Sequence, residues 1–129
     1  MTPYIWVPEK AVMAMHDEQI AEHGGLSGGR DLTVIQSALA RPVNLLAYGS
    51  PDAADLAAAY AYGLTRNHGF IDGNKRIGFL VAVTFLDVNG YEFVAGEEDV
   101  VRTMVSVASG EMTEASLAEW FRRTTTKLH

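Results

Sequence analysis

Two runs of the chain, Leu56–Leu64 and Ile77–Leu86, make its two most apolar helices, and only residues 65–76 separate them. The second is apolar on nearly every face, and a helix without a polar face has to be buried on all sides. The two are therefore expected to form the middle of a bundle, with the remaining segments wrapped around them. The alanines of the first run let a neighbouring backbone come close. At 129 residues the chain is one domain's worth. A chain of that size buries roughly two-thirds of its surface without disulfides or structural metal. Residues 1–129 accordingly read as a single domain.

The segments around this pair also read as helices. Helix one spans about Glu9 to Glu22, with Val12, Met13, His16 and Ile20 at helical spacing, and Gly24-Gly25 closes it. His16 reads as partly buried packing. Asp31 caps a short second helix, Leu32 to Ala40, which Pro42 terminates, so residues 43–49 are expected to be an apolar loop. Ser50-Pro51-Asp52 opens the third helix as N-cap, N1 proline and first-turn acid, and that helix runs to about Asn67. The fourth begins near Asn74 and stops after Val88 at Asn89-Gly90. Tyr91 and Phe93 alternate with Glu92 as a short strand, expected to pair with residues 3–7. Glu97-Glu98-Asp99 starts a fifth helix that Gly110 ends, and Thr113 caps a sixth from Glu114 to about Lys127. The expected class is all-α, a compact six-helix bundle with at most a short strand pair.

Charge and composition remove several function classes. Ten basic residues against sixteen acidic ones give a net charge of -6, a poor basis for general nucleic-acid binding, which needs a basic footprint. The chain has no cysteine, which excludes thiol catalysis, disulfide scaffolds and cysteine-ligated zinc or iron–sulfur centres. The longest apolar stretches carry Thr84 or Asp87 and fall short of the roughly twenty residues of a membrane span. The first ten residues lack a basic n-region and are interrupted by Pro3 and Pro8, unlike a secretion signal. The expectation is a cytoplasmic protein with no direct contact to nucleic acid or membrane.

The chemistry is concentrated between the two apolar helices, in Asn67-His68-Gly69-Phe70-Ile71-Asp72-Gly73-Asn74-Lys75-Arg76. Gly69 and Gly73 free the backbone to wrap closely around a ligand. The fourth helix aims its unsatisfied N–H groups and positive dipole end into the same place. Lys75 and Arg76 sit in that first turn, where each cation costs about 0.3–1 kcal/mol. A bound anion would offset the cost, and phosphate matches amides, an ammonium and a guanidinium together. Asp72 would repel a bare phosphate, so a divalent cation between the two is expected, magnesium above all. His68 is the natural general base near neutral pH. These parts are what phosphoryl or nucleotidyl transfer to a hydroxyl requires.

This nine-residue stretch, His68 to Arg76, resembles the Fic/Doc core motif, His-x-Phe-x-(Asp/Glu)-(Gly/Ala)-Asn-(Gly/Lys)-Arg. The resemblance continues in Gly29-Arg30-Asp31, in Ser37-Ala38-Leu39-Ala40-Arg41-Pro42 and in Ser109-Gly110-Glu111, and so covers almost the whole chain. It implies a Fic/Doc-type helical bundle in which His68 activates the target hydroxyl and Asp72 holds magnesium. Gly73, Asn74, Lys75 and Arg76 would form the phosphate site of ATP, Phe70 would anchor the loop in the core, and residues 43–49 would match the flap beside the nucleotide.

Lys75 stands where the adenylyl-transferring Fic pattern has a second glycine, and Phe79 where it has a further arginine. Both departures are Doc-like (death-on-curing), whereas Gly73 is Fic-like. The Doc-like branch implies a toxin of a type II toxin–antitoxin system that transfers the γ-phosphate of ATP to a serine or threonine hydroxyl of a protein, elongation factor Tu, and blocks translation. No inhibitory (Ser/Thr)-x-x-x-Glu-(Gly/Asn) segment occurs here, so the resemblance implies inhibition by a separate Phd-like antitoxin. Adenylyl transfer and a catalytically vestigial, partner-binding module remain the alternatives. Other features have plainer readings. The loop Gly24 to Gly29 lacks a Gly-Lys-(Ser/Thr) ending and is a connection. Arg66 orients the motif loop, reaches a target, or lies on the surface.

Overall fold

The computed structural model describes residues 4–25, 31–70 and 73–128. Its elements in order are α1 (Glu9–His23), α2 (Leu32–Tyr48), α3 (Ala53–Asn67), α4 (Asn74–Val88), β1 (Tyr91–Phe93), α5 (Glu97–Ser109), α6 (Glu114–Thr124) and β2 (Thr125–Lys127). The fold is the expected all-α bundle with one two-stranded sheet.

The alanine run does what its composition dictates. Within α3, residues from Ala53 to Thr65 are buried almost without interruption, and α2, α4 and α6 all pack on it. At the α3–α4 crossing Gly78 lets the two backbones meet: a Cβ there would lie 2.4 Å from Thr65 Oγ1 and 2.9 Å from the Ala61 carbonyl oxygen. α4 is less enclosed than its sequence predicts. Ile77, Val81, Ala82, Phe85 and Leu86 form a buried face, whereas Phe79, Leu80 and Val83 are half-buried and Val88 is exposed. Of these, Phe79 lines the cleft described below.

Four local expectations need correction. α2 does not stop at Pro42 but continues to Tyr48, so residues 43–48 are helical rather than a loop. Pro42 removes one helical hydrogen bond and strains the turn before it. It is nevertheless buried on the same face as Ile35 and Ala38, against α3, and that packing outweighs the local penalty. The first cap of α3 is Asp52, not Ser50: its carboxylate accepts from the Asp55 N–H, and the Asp55 carboxylate accepts from the Asp52 N–H, which is a reciprocal capping box.

The strand Tyr91–Phe93 exists, but its antiparallel partner is Thr125–Lys127, with Phe93 opposite Thr125 and Tyr91 opposite Lys127. The last helix correspondingly ends at Thr124, whose hydroxyl donates to the Trp120 carbonyl, and the β-branched pair Thr125-Thr126 continues as strand. Residues 4–7 are held by side chains instead. Asn89 accepts from the Ile5 N–H through Oδ1 at 2.8 Å and donates to the Ile5 carbonyl at 2.9 Å. The Val7 N–H donates to the Tyr60 hydroxyl. Trp6 stacks on Phe85, ring centroids 5.8 Å apart.

The start of α3 and the end of α6 are joined by charge. Arg122 on α6 donates to Asp52 at 2.8 Å and to Asp55 at 3.0 Å at the start of α3. This guanidinium holds the Asp52 carboxyl down at about 2, and its own pKa moves up in return. Among the described residues, no helix is long and apolar enough to cross a membrane.

Candidate functional site

The site is the turn between α3 and α4. α3 ends at Asn67, and His68 follows in the left-handed conformation, φ 52° and ψ 46°, which reverses the chain and leaves its side chain exposed. Histidine is one of the few residues other than glycine that enters this region with any frequency. Gly69 then presses on the start of α2: its carbonyl accepts from the Asp31 N–H at 2.8 Å, and a Cβ would fall 2.5 Å from Ile35 Cγ1. Any larger residue would have to displace the Ile35 side chain.

Phe70 is the inward anchor, 3% exposed. Its ring lies against the buried His16 of α1, centroids 3.8 Å apart and planes 15° from parallel. Asn74, the first residue of α4, folds the loop back on itself. Its side chain accepts from the Phe70 N–H at 3.2 Å and donates to the Phe70 carbonyl at 2.9 Å. His68 is thereby held two residues from a segment pinned to the amino end of α4. The Asn74 amide group is committed to this loop, so what it offers a phosphate is its backbone N–H.

Gly73 precedes α4 at φ 82° and accepts the helix's first bond, from the Ile77 N–H at 2.9 Å. A Cβ at residue 73 would meet His16 Nε2 at 3.5 Å and Ile20 Cδ1 at 3.6 Å. A glycine cap carries no side-chain oxygen, and the first turn of α4 contains no acid, only the cations Lys75 and Arg76. By contrast α2, α3 and α6 begin with the capping side chains Asp31, Asp52 and Thr113. The amino end of α4 is thus the one of these four built to receive a negative charge from outside.

Lys75 and Arg76 also border an apolar cleft of about 220 Å³ between α4 and α5, lined by Phe79, Val100, Val101, Met104 and Val105. Phe79, at the position where the adenylyl-transferring pattern has arginine, meets Phe93 edge-on at 5.3 Å. Larger hollows flank the second half of α2, one of about 400 Å³ beside Arg41, Leu45, Tyr48 and Glu114. Asn44, Leu45, Tyr48 and Gly49 in the lining of that hollow are among the residues expected to form the flap.

Of the predicted site residues, His68, Gly73, Asn74, Lys75 and Arg76 lie in one turn and one helix start. Asp72, the expected magnesium carboxylate, lies outside the described residues, as do residues 26–30 of the glycine-rich connection. Among the described residues no group of three or more histidines and acids could hold a metal by itself. Two neighbours of the site were not legible as such. His16 is wholly buried rather than partly, and its place under Phe70 depends on how α1 crosses α4. Arg66, left open between loop, target and surface, reaches across to the end of α5, where it donates to the Ala108 carbonyl at 2.9 Å. No local pattern announces a contact made 42 residues away.

Comparison with known proteins agrees with this architecture. The Fic/DOC family model matches residues 6–86, which takes in α1 to α3, the motif and most of α4. The chain is 32% identical over 117 residues to "Protein kinase doc" of Escherichia phage P1, covering 90% of this chain and 91% of that protein. It is 41% identical over 75 residues to "Toxin Doc" of Mycolicibacterium smegmatis, covering 56% of this chain and 57% of that one. With the motif, the bundle and the family match in register, this chain belongs to the Fic/DOC family.

Proposed function

We propose that this protein is a Doc-like toxin that transfers the γ-phosphate of ATP to a serine or threonine hydroxyl of a protein target, elongation factor Tu, and so blocks translation. The observation that carries the proposal is the amino end of α4: a glycine start, no acid in the first turn, Lys75 and Arg76 in that turn, and His68 tethered beside it through Asn74 and Phe70. Two relatives whose names describe a kinase and a toxin support the direction of the reading. A Phd-like antitoxin as partner and a cytoplasmic site of action belong to the same proposal.

The residues fit a nucleotide's phosphates. Gly73 puts no capping side chain at the helix start, the α4 amides would donate to anionic oxygens, and Lys75 and Arg76 supply two positive charges. Magnesium bound to phosphates needs only one or two protein carboxylates, and Asp72 is the one the motif provides. ATP supplies the phosphoryl group when bound, and magnesium neutralises charge on its phosphates. His68, exposed on the turn, accepts the proton of the attacking hydroxyl as that oxygen bonds to phosphorus. Lys75 and Arg76 balance the charge that builds on the departing ADP. Gly73, at φ 82°, has a backbone reason to be glycine, and it is the one Fic-like departure in the motif.

The test is incubation of the purified protein with magnesium, ATP and elongation factor Tu, followed by intact mass measurement of the target. A gain of about 80 Da is expected for a phosphoryl group, against about 329 Da for AMP. No gain with the wild type, a gain unaffected by His68→Ala, or the larger mass overturns the kinase reading. The larger mass makes the protein a nucleotidyltransferase.

A further inference from the structure

We propose that Arg66 is a positioning residue for His68, acting through the carboxyl end of α5. Arg66 lies in the last turn of α3, two residues before the left-handed turn that presents the histidine. Its Nη1 donates to the Ala108 carbonyl at 2.9 Å and reaches the Val107 carbonyl at 3.5 Å. The last carbonyls of a helix have no intrahelical donors and carry its partial negative charge, so a guanidinium is well placed there.

The partners at this helix end account for the contact. Ser106 accepts from the Met112 N–H and the Ser109 hydroxyl, and Val107 accepts from the Gly110 N–H. The Ala108 carbonyl takes the Arg66 guanidinium. The chain leaves room for it as well. Gly110 stands at φ 86°, and a Cβ on it would lie 3.1 Å from Arg66 Nη1 and 3.6 Å from Cζ. The guanidinium occupies the space that a side chain at residue 110 would claim.

The contact bears on His68 because the turn is otherwise fixed from the far side. Gly69, Phe70 and Asn74 hold the chain after the histidine, on α2, α1 and α4. Arg66 holds the chain before it. With Arg66 released, the exposed end of α3 at residues 66–67 loses its tether to α5 while Leu64 and Thr65 stay buried, and His68 loses part of the frame that keeps its φ positive. An exposed arginine of this kind contributes little to global stability, so the consequence falls on the orientation of the imidazole.

The inference rests on the proposed phosphotransfer for its kinetic arm only. In the full chain, Arg66→Ala is expected to speed amide exchange at His68 and Gly69 tenfold or more and to shift the His68 imidazole resonances. It is expected to lower kcat tenfold or more, while KM for ATP changes less than twofold. Arg66→Lys, which keeps a donor, restores part of both effects. Gly110→Ala, remote from the nucleotide, reproduces the loss. Wild-type exchange and wild-type imidazole resonances in Arg66→Ala overturn the proposal, as does a loss that appears wholly in KM. Should Gly110→Ala fail to fold, the alanine and lysine variants of Arg66 decide. If the wild type transfers no phosphate, exchange and the imidazole resonances still settle the role of Arg66, and only the phosphotransfer reading falls.

Discussion

The ring of His16 lies flat on the ring of Phe70, 3.8 Å from centroid to centroid, so that α1 supports the motif loop from beneath. A stacked pair of this kind is worth about 0.5–1.5 kcal/mol beyond the area it buries. Phe70→Leu and His16→Ala should each destabilise the protein, and in a double-mutant cycle the two should fail to add by about that amount. Urea unfolding of the four proteins measures the coupling. Additive losses would mean that α1 merely covers the loop and does not hold it.

Asn74 joins the two ends of the same loop through a pair of bonds to the main chain of Phe70. Removing its amide leaves a half-buried N–H and carbonyl without their partner, at a cost of about 1–3 kcal/mol. Asn74→Ala should therefore lose stability in that range and accelerate exchange of the Phe70 amide. Asn74→Asp keeps the acceptor and should retain slow exchange at that one amide while losing the bond to the carbonyl. If neither variant alters exchange at Phe70, the loop owes its closure to other contacts.

How much of this could be read from the sequence follows the range of the forces involved. The boundaries of α4 and α5 were legible because local residues set them: Asn89-Gly90 stops one helix, three acids start the other and Gly110 ends it. The five site residues that are described were legible because they are contiguous, and one turn delivers them to one place. Pro42 was misleading because its penalty is local while the compensation comes from burial against α3. The partner of Tyr91–Phe93 was missed because both candidate strands are three to five residues long, and register at that length is chosen by tertiary packing. Arg66 and His16 gained their roles only through contacts between helices distant in sequence.

Asp52 gives the stability of the bundle a defined acid limb. Hydrogen bonds from Arg122 lower its carboxyl to about 2. A depressed carboxyl contributes stability that is present above its unfolded value of about 3.9 and is lost as pH falls through the folded one. The loss should therefore develop between about pH 4 and pH 2. Because the Asp52 side chain is 54% exposed, solvent screening keeps the contribution under about 1 kcal/mol. Arg122→Ala should flatten this limb and leave stability near pH 7 lower by a similar amount. Urea midpoints measured across the range check both. A limb unchanged in Arg122→Ala would assign the acid sensitivity to other carboxylates.

Lys75 and Arg76 set stability against ligand binding at the amino end of α4. Without an anion, two cations face the positive end of a helix whose first turn holds no acid. Each such charge costs about 0.3–1 kcal/mol, so Lys75→Gln should make the ligand-free protein more stable by about that amount. The same substitution removes an attraction for phosphates, so magnesium–ATP should raise the melting temperature of Lys75→Gln less than that of the wild type. The two thermal scans have opposite signs, and that opposition separates a binding cation from a solvated one. A surface lysine with no ligand to serve would leave both scans unchanged. A lysine that merely packs its stem against the cleft of Phe79 and Met104 would lower both.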